Sequence, residues 1–415
     1  MSTDRLRILI LNQYFHPDSS ATSQLLTECC EDLSERHEVY VVTGRPSYDP
    51  STATTSSGLI SHERYGRIHV ERVWSTTFHR SSRVGRVCNY LTYLTTSVLG
   101  GFSVRKPDVV VSMTDPPPIG VVGALIARVR RLPFVLISQD IHPEVAVLVG
   151  ALKSPVIVRT LRAATSFLLR SATRVVSIGR DMSERLAGRG VPASKIVLIP
   201  NWADGRLITP LDRPSHLRER EGWQDRFVVM HSGNVGMSQG LDRLVAAAAE
   251  LRALPEVLVA IVGEGSAKAA LQEDVAHRGL ENVVFLPYQP KEELSDSLGA
   301  ADVHVVGLQE GLAGYVVPSK VYGILAAGKP LIAAVEDGAE PACVVAEERC
   351  GVSVRPGDAQ ALAQAIRELS ALSVDERQAM GLRGRTALEE RYGRERASAA
   401  YERLLTGVVR TTSRN

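Results

Sequence analysis

The stretch "RILILNQYFHPDSSATSQLLTECCEDLSERHEVYVVTG", Arg7 to Gly44, holds a complete strand, helix and strand. "RILILNQ" and "EVYVVTG" are short, nearly continuous apolar runs, as parallel strands buried on both faces require. Between them, "SQLLTECCEDLSER" has helical spacing. The alternation continues through "IHVERVW", "PDVVVSM", "PFVLISQD", "TRVVSIG" and "IVLIPN", with helices such as "PIGVVGALIARVRR" between strands. It predicts a doubly wound α/β domain over residues 1–203.

The turn-rich stretch "PNWADGRLITPLDRPSHLREREGWQDR" reads as a linker. A second α/β series follows in "FVVMHSG", "EVLVAIVG", "NVVFLPY", "DVHVVGL", "PLIAAV" and "GVSVRP", giving a second domain over residues 204–392. A closing helix, "RERASAAYERLLTGVV", comes after a break at "RYG". A chain of 415 residues has the length for two cores.

No run of eighteen apolar residues suggests a membrane span, and the start "MSTDRLRILILNQYF" lacks the apolar core of a signal peptide. A cytoplasmic location is expected. Cys29, Cys30, Cys88, Cys343 and Cys350 form neither an even set nor a CxxC pair, so packed, reduced thiols are expected. A net charge of +2 gives no reason to invoke nucleic acid. Arg80, Arg83 and Arg86 precede the apolar stretch Val87 to Phe102, and Arg128, Arg130 and Arg131 form a second basic group. Residues 80–102 therefore have two readings: a buried helix with solvated ends, or a peripheral contact on the inner face of the cell membrane.

Five strand-to-helix loops are candidate sites, because ligands of open α/β sheets gather at the carboxyl ends of strands. The first, "NQYFHPDSSATSQ", lacks GxGxxG, which argues against an NAD enzyme. Its Ser19, Ser20, Ala21, Thr22 and Ser23 suit a phosphate or sugar, or simple helix capping. The second, "SQDIHPE", gathers Gln139, Asp140, His142 and Glu144, a setting suited to catalysis or to ordinary hydrogen bonding. In the third, "HSGNVGMSQGLDRL", Gly233 and Gly236 allow close backbone approach beside Asn234 and Gln239. In the fourth, Gly263, Glu264 and Gly265 turn a strand into a helix.

The fifth is "EGLAGYVVPSKVYGILAAGKP", Glu310 to Pro330. Pro318 suits the first helical position, which places Ser319 and Lys320 in the first turn. A cation there opposes the helix dipole unless an anion is close, which points to phosphate.

As an ordered set, "PNWAD", "VGEG", "NVVFLPYQPKEELSDSLGAADVHVV" and "PSKVYGILAAGKPLIA" resemble the GT-B-type glycosyltransferases of family 4. "LNQYFHPD", "VVTGRPSYDP", "SQDIHPE" and "SGNVGMSQGL" look most like the bacterial branch of colanic-acid and O-antigen assembly. The resemblance runs from about residue 6 to residue 405. It implies an α/β GT-B fold: two facing Rossmann-like domains, with the C-terminal helix (393–410) crossing back to the first. It also implies transfer from a nucleotide-diphosphate sugar with retention and without metal or other cofactor. The first domain would take the acceptor, a lipid-linked saccharide or a small soluble molecule such as an aminocyclitol or thiol. The second would take the donor.

Carried over residue by residue, the resemblance makes Gly233, Asn234, Gln239, Gly263, Glu264 and Tyr288 donor contacts. Gly314, Tyr315, Val316, Val317, Pro318, Ser319 and Lys320 complete a diphosphate cradle, with backbone N–H groups of Val316, Val317 and Ser319 as donors. Glu310 would meet the transferred sugar, and Gln139, Asp140 and His142 the reacting acceptor. The chain departs from the pattern at several points. Gln139 replaces a histidine, Asn234 and Gln239 replace the basic clamp, and Gly323 stands where a glutamate holds the ribose. Tyr315 stands at the first glutamate position, unless the loop is longer and Glu310 supplies that carboxylate. These changes leave a catalytically silent nucleotide-sugar-binding homologue as an alternative.

Overall fold

The computed structural model describes residues 5–18, 20–46, 58–78 and 83–412, and the chain divides into two compact units. Unit 1 holds residues 1–178, 182–200 and 395–415; unit 2 holds residues 179–181 and 201–394.

Unit 1 begins with β1 (Arg7–Leu11), α1 (Ala21–Ser34), β2 (Glu38–Thr43), β3 (Ile60–Tyr65) and β4 (Ile68–Val73). It continues through α2 (Arg83–Ser103), β5 (Val109–Ser112), α3 (Ile119–Arg130), β6 (Phe134–Ser138), α4 (Glu144–Leu148) and α5 (Pro155–Ser171). β7 (Arg174–Ser177), α6 (Arg180–Gly188) and β8 (Ile196–Leu198) follow. The strand order is β3-β4-β2-β1-β5-β6-β7-β8. All pairs are parallel except β3 with β4. β5 and β6 are buried along their whole length, as their continuous apolar sequences require. β3, which the sequence reading missed, alternates polar residues along an exposed edge and lacks that signature.

α2, α3 and α5 pack side by side, and glycines set their spacing. A Cβ at Gly101 would lie 2.3 Å from Ile126 of α3, and one at Gly100 would lie 2.6 Å from Val73 of β4. Each helical glycine costs roughly 1 kcal/mol in helix propensity, offset here by close packing.

Unit 2 runs α7 (His216–Arg220), β9 (Phe227–Ser232), α8 (Leu241–Glu250), β10 (Val257–Val262), α9 (Lys268–Arg278), β11 (Val283–Leu286) and α10 (Leu294–Gly299). Then come β12 (Val303–Gly307), α11 (Lys320–Ala326), β13 (Leu331–Ala334), α12 (Glu340–Glu348), β14 (Gly351–Val354), α13 (Ala359–Ala371) and α14 (Val374–Ala387). Its order, β11-β10-β9-β12-β13-β14, reverses between β9 and β12, the switch point of a Rossmann-type sheet. Val229, Val259, Ile261, Val303 and Ile332 are fully or almost fully buried beneath α8 and α13.

The stretch read as a linker is built into unit 2. Trp202, Ile208, Leu217 and Trp223 are buried, and the Asp296 carboxylate accepts from His216 N at 2.9 Å and Leu217 N at 2.8 Å. Its turn residues are loops around these apolar anchors. The continuous part of unit 2 thus runs from Asn201, where the sequence reading placed the boundary at residue 204.

The closing helix, α15 (Arg394–Thr412), packs in unit 1 from Glu395 onward. It buries Ala397, Tyr401, Leu405 and Val408, and Ser398 Oγ donates to Asp32 at 2.5 Å.

Candidate active site

At the unit 2 switch point, the loop after β9 interlocks with the loop after β10. Val235 N donates to Glu264 O at 2.9 Å, and Ala267 N donates to Val235 O at 3.0 Å. Gly263 (φ +141°) leaves no room for a side chain, since a Cβ would fall 1.9 Å from Gly233 O. Gly233 itself has φ +128° and is half-buried, and without a side chain its backbone can approach a ligand closely. Lys268 Nζ reaches Gly263 O at 2.9 Å and the Glu264 carboxylate at 2.6 Å. Tyr288, 54% exposed, borders the same loop with its hydroxyl 3.4 Å from Glu264 O.

Lys320 rises from α11 toward these loops. Its Nζ lies 3.0 Å from His231 Nε2 and 3.5 Å from Nδ1, against the ring, and a Cβ at Gly233 would be 3.7 Å from it. His231 is fully buried at the end of β9. Burial first, and then the Lys320 charge, hold its pKa well below the usual histidine range, so the ring is neutral. Among the described residues no carboxylate pairs with Lys320, and burial pushes its pKa down to about 7. An ammonium held against a neutral ring is costly until an anion joins it.

Two details of the expected cradle need correction. The helix starts at Lys320 with Ser319 as its cap residue, so Pro318 lies before the cap and not at the first helical position. Helix ends are the least determined part of a sequence reading. The Val316 N–H donates to Leu312 O at 3.2 Å inside the loop's own turn and is committed there. Tyr315 N likewise donates to Leu312 O, at 2.9 Å.

Glu336, which sequence reasoning missed, holds this loop. Its two carboxylate oxygens accept from Gly311 N at 3.0 Å and Ala313 N at 3.2 Å, fixing the backbone directly after the exposed Glu310. Asp181 accepts from Gly314 N at 2.9 Å. Asn234 is exposed, whereas Gln239 is buried and its Oε1 has no hydrogen-bond partner. At Gly323 a Cβ would meet only Leu298 Cδ1, at 3.7 Å, so the space is open where relatives are implied to place a carboxylate.

Unit 1 carries the other candidates at the ends of β1, β5 and β6. Thr114 Oγ1 accepts from Gln139 N at 3.1 Å and Asp140 N at 3.3 Å, which fixes the loop after β6. His142 Nε2 lies 3.9 Å from Asp140 Oδ2. Burial raises the Asp140 pKa, opposed by His142, and lowers that of His142, opposed by Asp140 and Glu144. Glu144 is committed elsewhere, to Arg162 at 3.1 Å and to Arg189. Ser20 is the N-cap of α1, its Oγ accepting from Ser23 N at 3.2 Å, while Ala21 and Thr22 begin the helix. The Ser23 hydroxyl is fully buried without a partner, and Ser19 lies outside the described residues. The catalytic candidates are thus divided, with Glu310 in unit 2 and Gln139, Asp140 and His142 in unit 1.

Two doubly wound sheets, with glycine loops and a lysine at the switch point of the second, are the architecture of the GT-B fold. Residues 215–387 match the family model "Glycosyl transferases group 1", and residues 22–202 match "Glycosyl transferase 4-like domain". The probable glycosyltransferase WbjE of Pseudomonas aeruginosa is 31% identical over 69% of this chain and 72% of its own length. The putative colanic acid biosynthesis glycosyl transferase WcaI of Escherichia coli (strain K12) is 27% identical over 88% of this chain and 92% of its own. HepE of Anabaena, solved with UDP and glucose, superposes with a TM-score of 0.73 at 18% identity, covering 97% of this chain and 100% of its own. Sucrose-phosphate synthase from Thermosynechococcus elongatus gives 0.75 at 18% identity, covering 98% and 100%. The chain belongs to the GT-B glycosyltransferases of family 4.

Proposed function

We propose that unit 2 binds the diphosphate of a nucleotide sugar over Gly233 and against Lys320. The chain then transfers the sugar, with retention and without a metal, to a lipid-linked saccharide in polysaccharide assembly. The observation that carries this reading is the Lys320 ammonium, set against a neutral histidine and lacking any carboxylate partner among the described residues. A diphosphate supplies the missing negative charge, and charge developing on the leaving group is stabilised by the same preorganised cation. The HepE complex with UDP and glucose and the name of WcaI support the donor class and the pathway class.

In this reading Tyr288 borders the base, and Gln239 Oε1 accepts from a donor hydroxyl. Glu310 meets the transferred sugar, while Asp140 and the neutral His142 orient the acceptor hydroxyl. Val317 and Ser319 line the phosphate side next to Lys320.

The test is nucleotide release from a panel of UDP- and GDP-sugars, with a membrane lipid extract as acceptor source. Lys320→Ala is expected to weaken donor affinity and turnover by tenfold or more, and NMR of the product gives the anomeric outcome. Unchanged kinetics would sink the phosphate role. The neutral Asn234, Gln239 and Gly323 favour a second reading, a silent binding homologue. Stoichiometric donor binding with no release against any extract would establish it.

A further inference from the structure

The sheet of unit 1 has a switch point of its own between β1 and β5, since β1 leads to β2 on one side and β5 to β6 on the other. The two loops that leave it are tied together, with Gln13 N donating to Asp115 O at 3.0 Å. Thr114 stands in the second loop, two residues beyond β5, and is half-buried. As described above, its Oγ1 accepts from both Gln139 N and Asp140 N.

A hydroxyl has two positions for accepting and one proton to donate. Two backbone N–H groups fill both accepting positions of Thr114, so only its proton is left to offer. Among the described residues the Thr114 hydroxyl donates to no oxygen or nitrogen. The residue it anchors, Asp140, is also half-buried, and its carboxylate has His142 Nε2 at 3.9 Å. An ionised carboxylate can only accept, whereas this threonine can only donate. Adjoining residues of one hydrogen-bonded turn therefore present the two halves of a site for an alcohol, which must both accept and donate.

We propose that Thr114 contacts the acceptor: its hydroxyl donates to the oxygen of the reacting hydroxyl group, whose own proton is directed at the Asp140 carboxylate. The inference rests on the glycosyl-transfer reading and narrows it, because the group that receives the sugar is then an alcohol. A thiol sulfur accepts only weakly, and an ammonium has no lone pair for Thr114 to meet. Holding the oxygen from one side and its proton from the other leaves a fixed lone pair for attack, which is the gain from orientation.

The experiment compares nucleotide release, with and without membrane lipid extract, in the full chain and in Thr114→Ser, Thr114→Val and Thr114→Asp. Hydrogen exchange of the Gln139 and Asp140 amides reports whether the loop stays anchored, and thermal melts report folding. Ser keeps the hydroxyl, and we expect extract-dependent release within about threefold of the native rate. Val removes it, and release at saturating extract falls roughly tenfold or more, with nucleotide affinity changed less than twofold. Asp can accept the two amides but has no proton to give, so the amides stay protected while release remains roughly tenfold down or more. NMR of the product then shows an O-glycoside. Release by Thr114→Val within about threefold of native would overturn the inference, as would a failed Thr114→Ser. Recovery of release in Thr114→Asp would overturn it too, by making Thr114 an anchor of the loop alone. So would a product joined through sulfur or nitrogen, whatever the variants do. Absence of extract-dependent release in the native chain would instead overturn the glycosyl-transfer reading beneath it.

Discussion

Lys320 was legible in the sequence because a lysine in a first helical turn conflicts with the dipole. Its partner was not, since His231 reads as one more residue of the buried run "FVVMHS". Glu336 was hidden for a related reason: its ligands are backbone N–H groups 25 and 23 residues away, which have no sequence signature. Removing Glu336 frees the loop that carries Glu310. We expect Glu336→Ala to lower kcat about tenfold, roughly 1.4 kcal/mol, with nucleotide affinity changed less than twofold and Glu336→Gln intermediate. Steady-state kinetics beside calorimetric nucleotide binding checks this. A parallel loss of affinity would mean that the carboxylate supports the whole pocket rather than the catalytic loop.

The central parallel strands of both units, such as β5, β6 and β10, were legible as elements, because burial on both faces leaves no alternation to misread. The edge strand β3 was not, and the 201–226 segment passed for a linker because its prolines and charges outnumber the buried Trp202, Leu217 and Trp223 that anchor it. Glycines look alike in sequence, and only geometry separates Gly263, with its 1.9 Å clash distance, from Gly222, which has open space around it. Gly263→Ala would force the loops after β9 and β10 apart. The expected cost is about 2 kcal/mol or more of stability, with loss of donor binding, measured by urea unfolding and calorimetry. Gly222→Ala meets only backbone strain and should cost about 1 kcal/mol without affecting binding.

For the whole molecule, the chain returns at its end to unit 1. Truncation after Gly393 would strip the cover from α1 and expose the surface now facing Tyr401 and Leu405. The truncated chain should melt at a lower temperature than the full one or aggregate, as thermal unfolding would reveal.

The claim that a diphosphate completes the Lys320 site has a direct thermodynamic signature. Free Lys320 titrates at about 7 and an adjoining anion raises that value. Donor affinity is therefore greatest below pH 7 and falls as pH rises through the free lysine's range, and binding at pH 8 takes up protons. Calorimetric titration of UDP and GDP at pH 8, in buffers of different protonation enthalpy, measures that uptake. The account predicts net proton uptake with the nucleotide that binds, and none in Lys320→Ala, whose affinity is at least tenfold weaker. Binding of either nucleotide without proton uptake, and with equal affinity in Lys320→Ala, would contradict it.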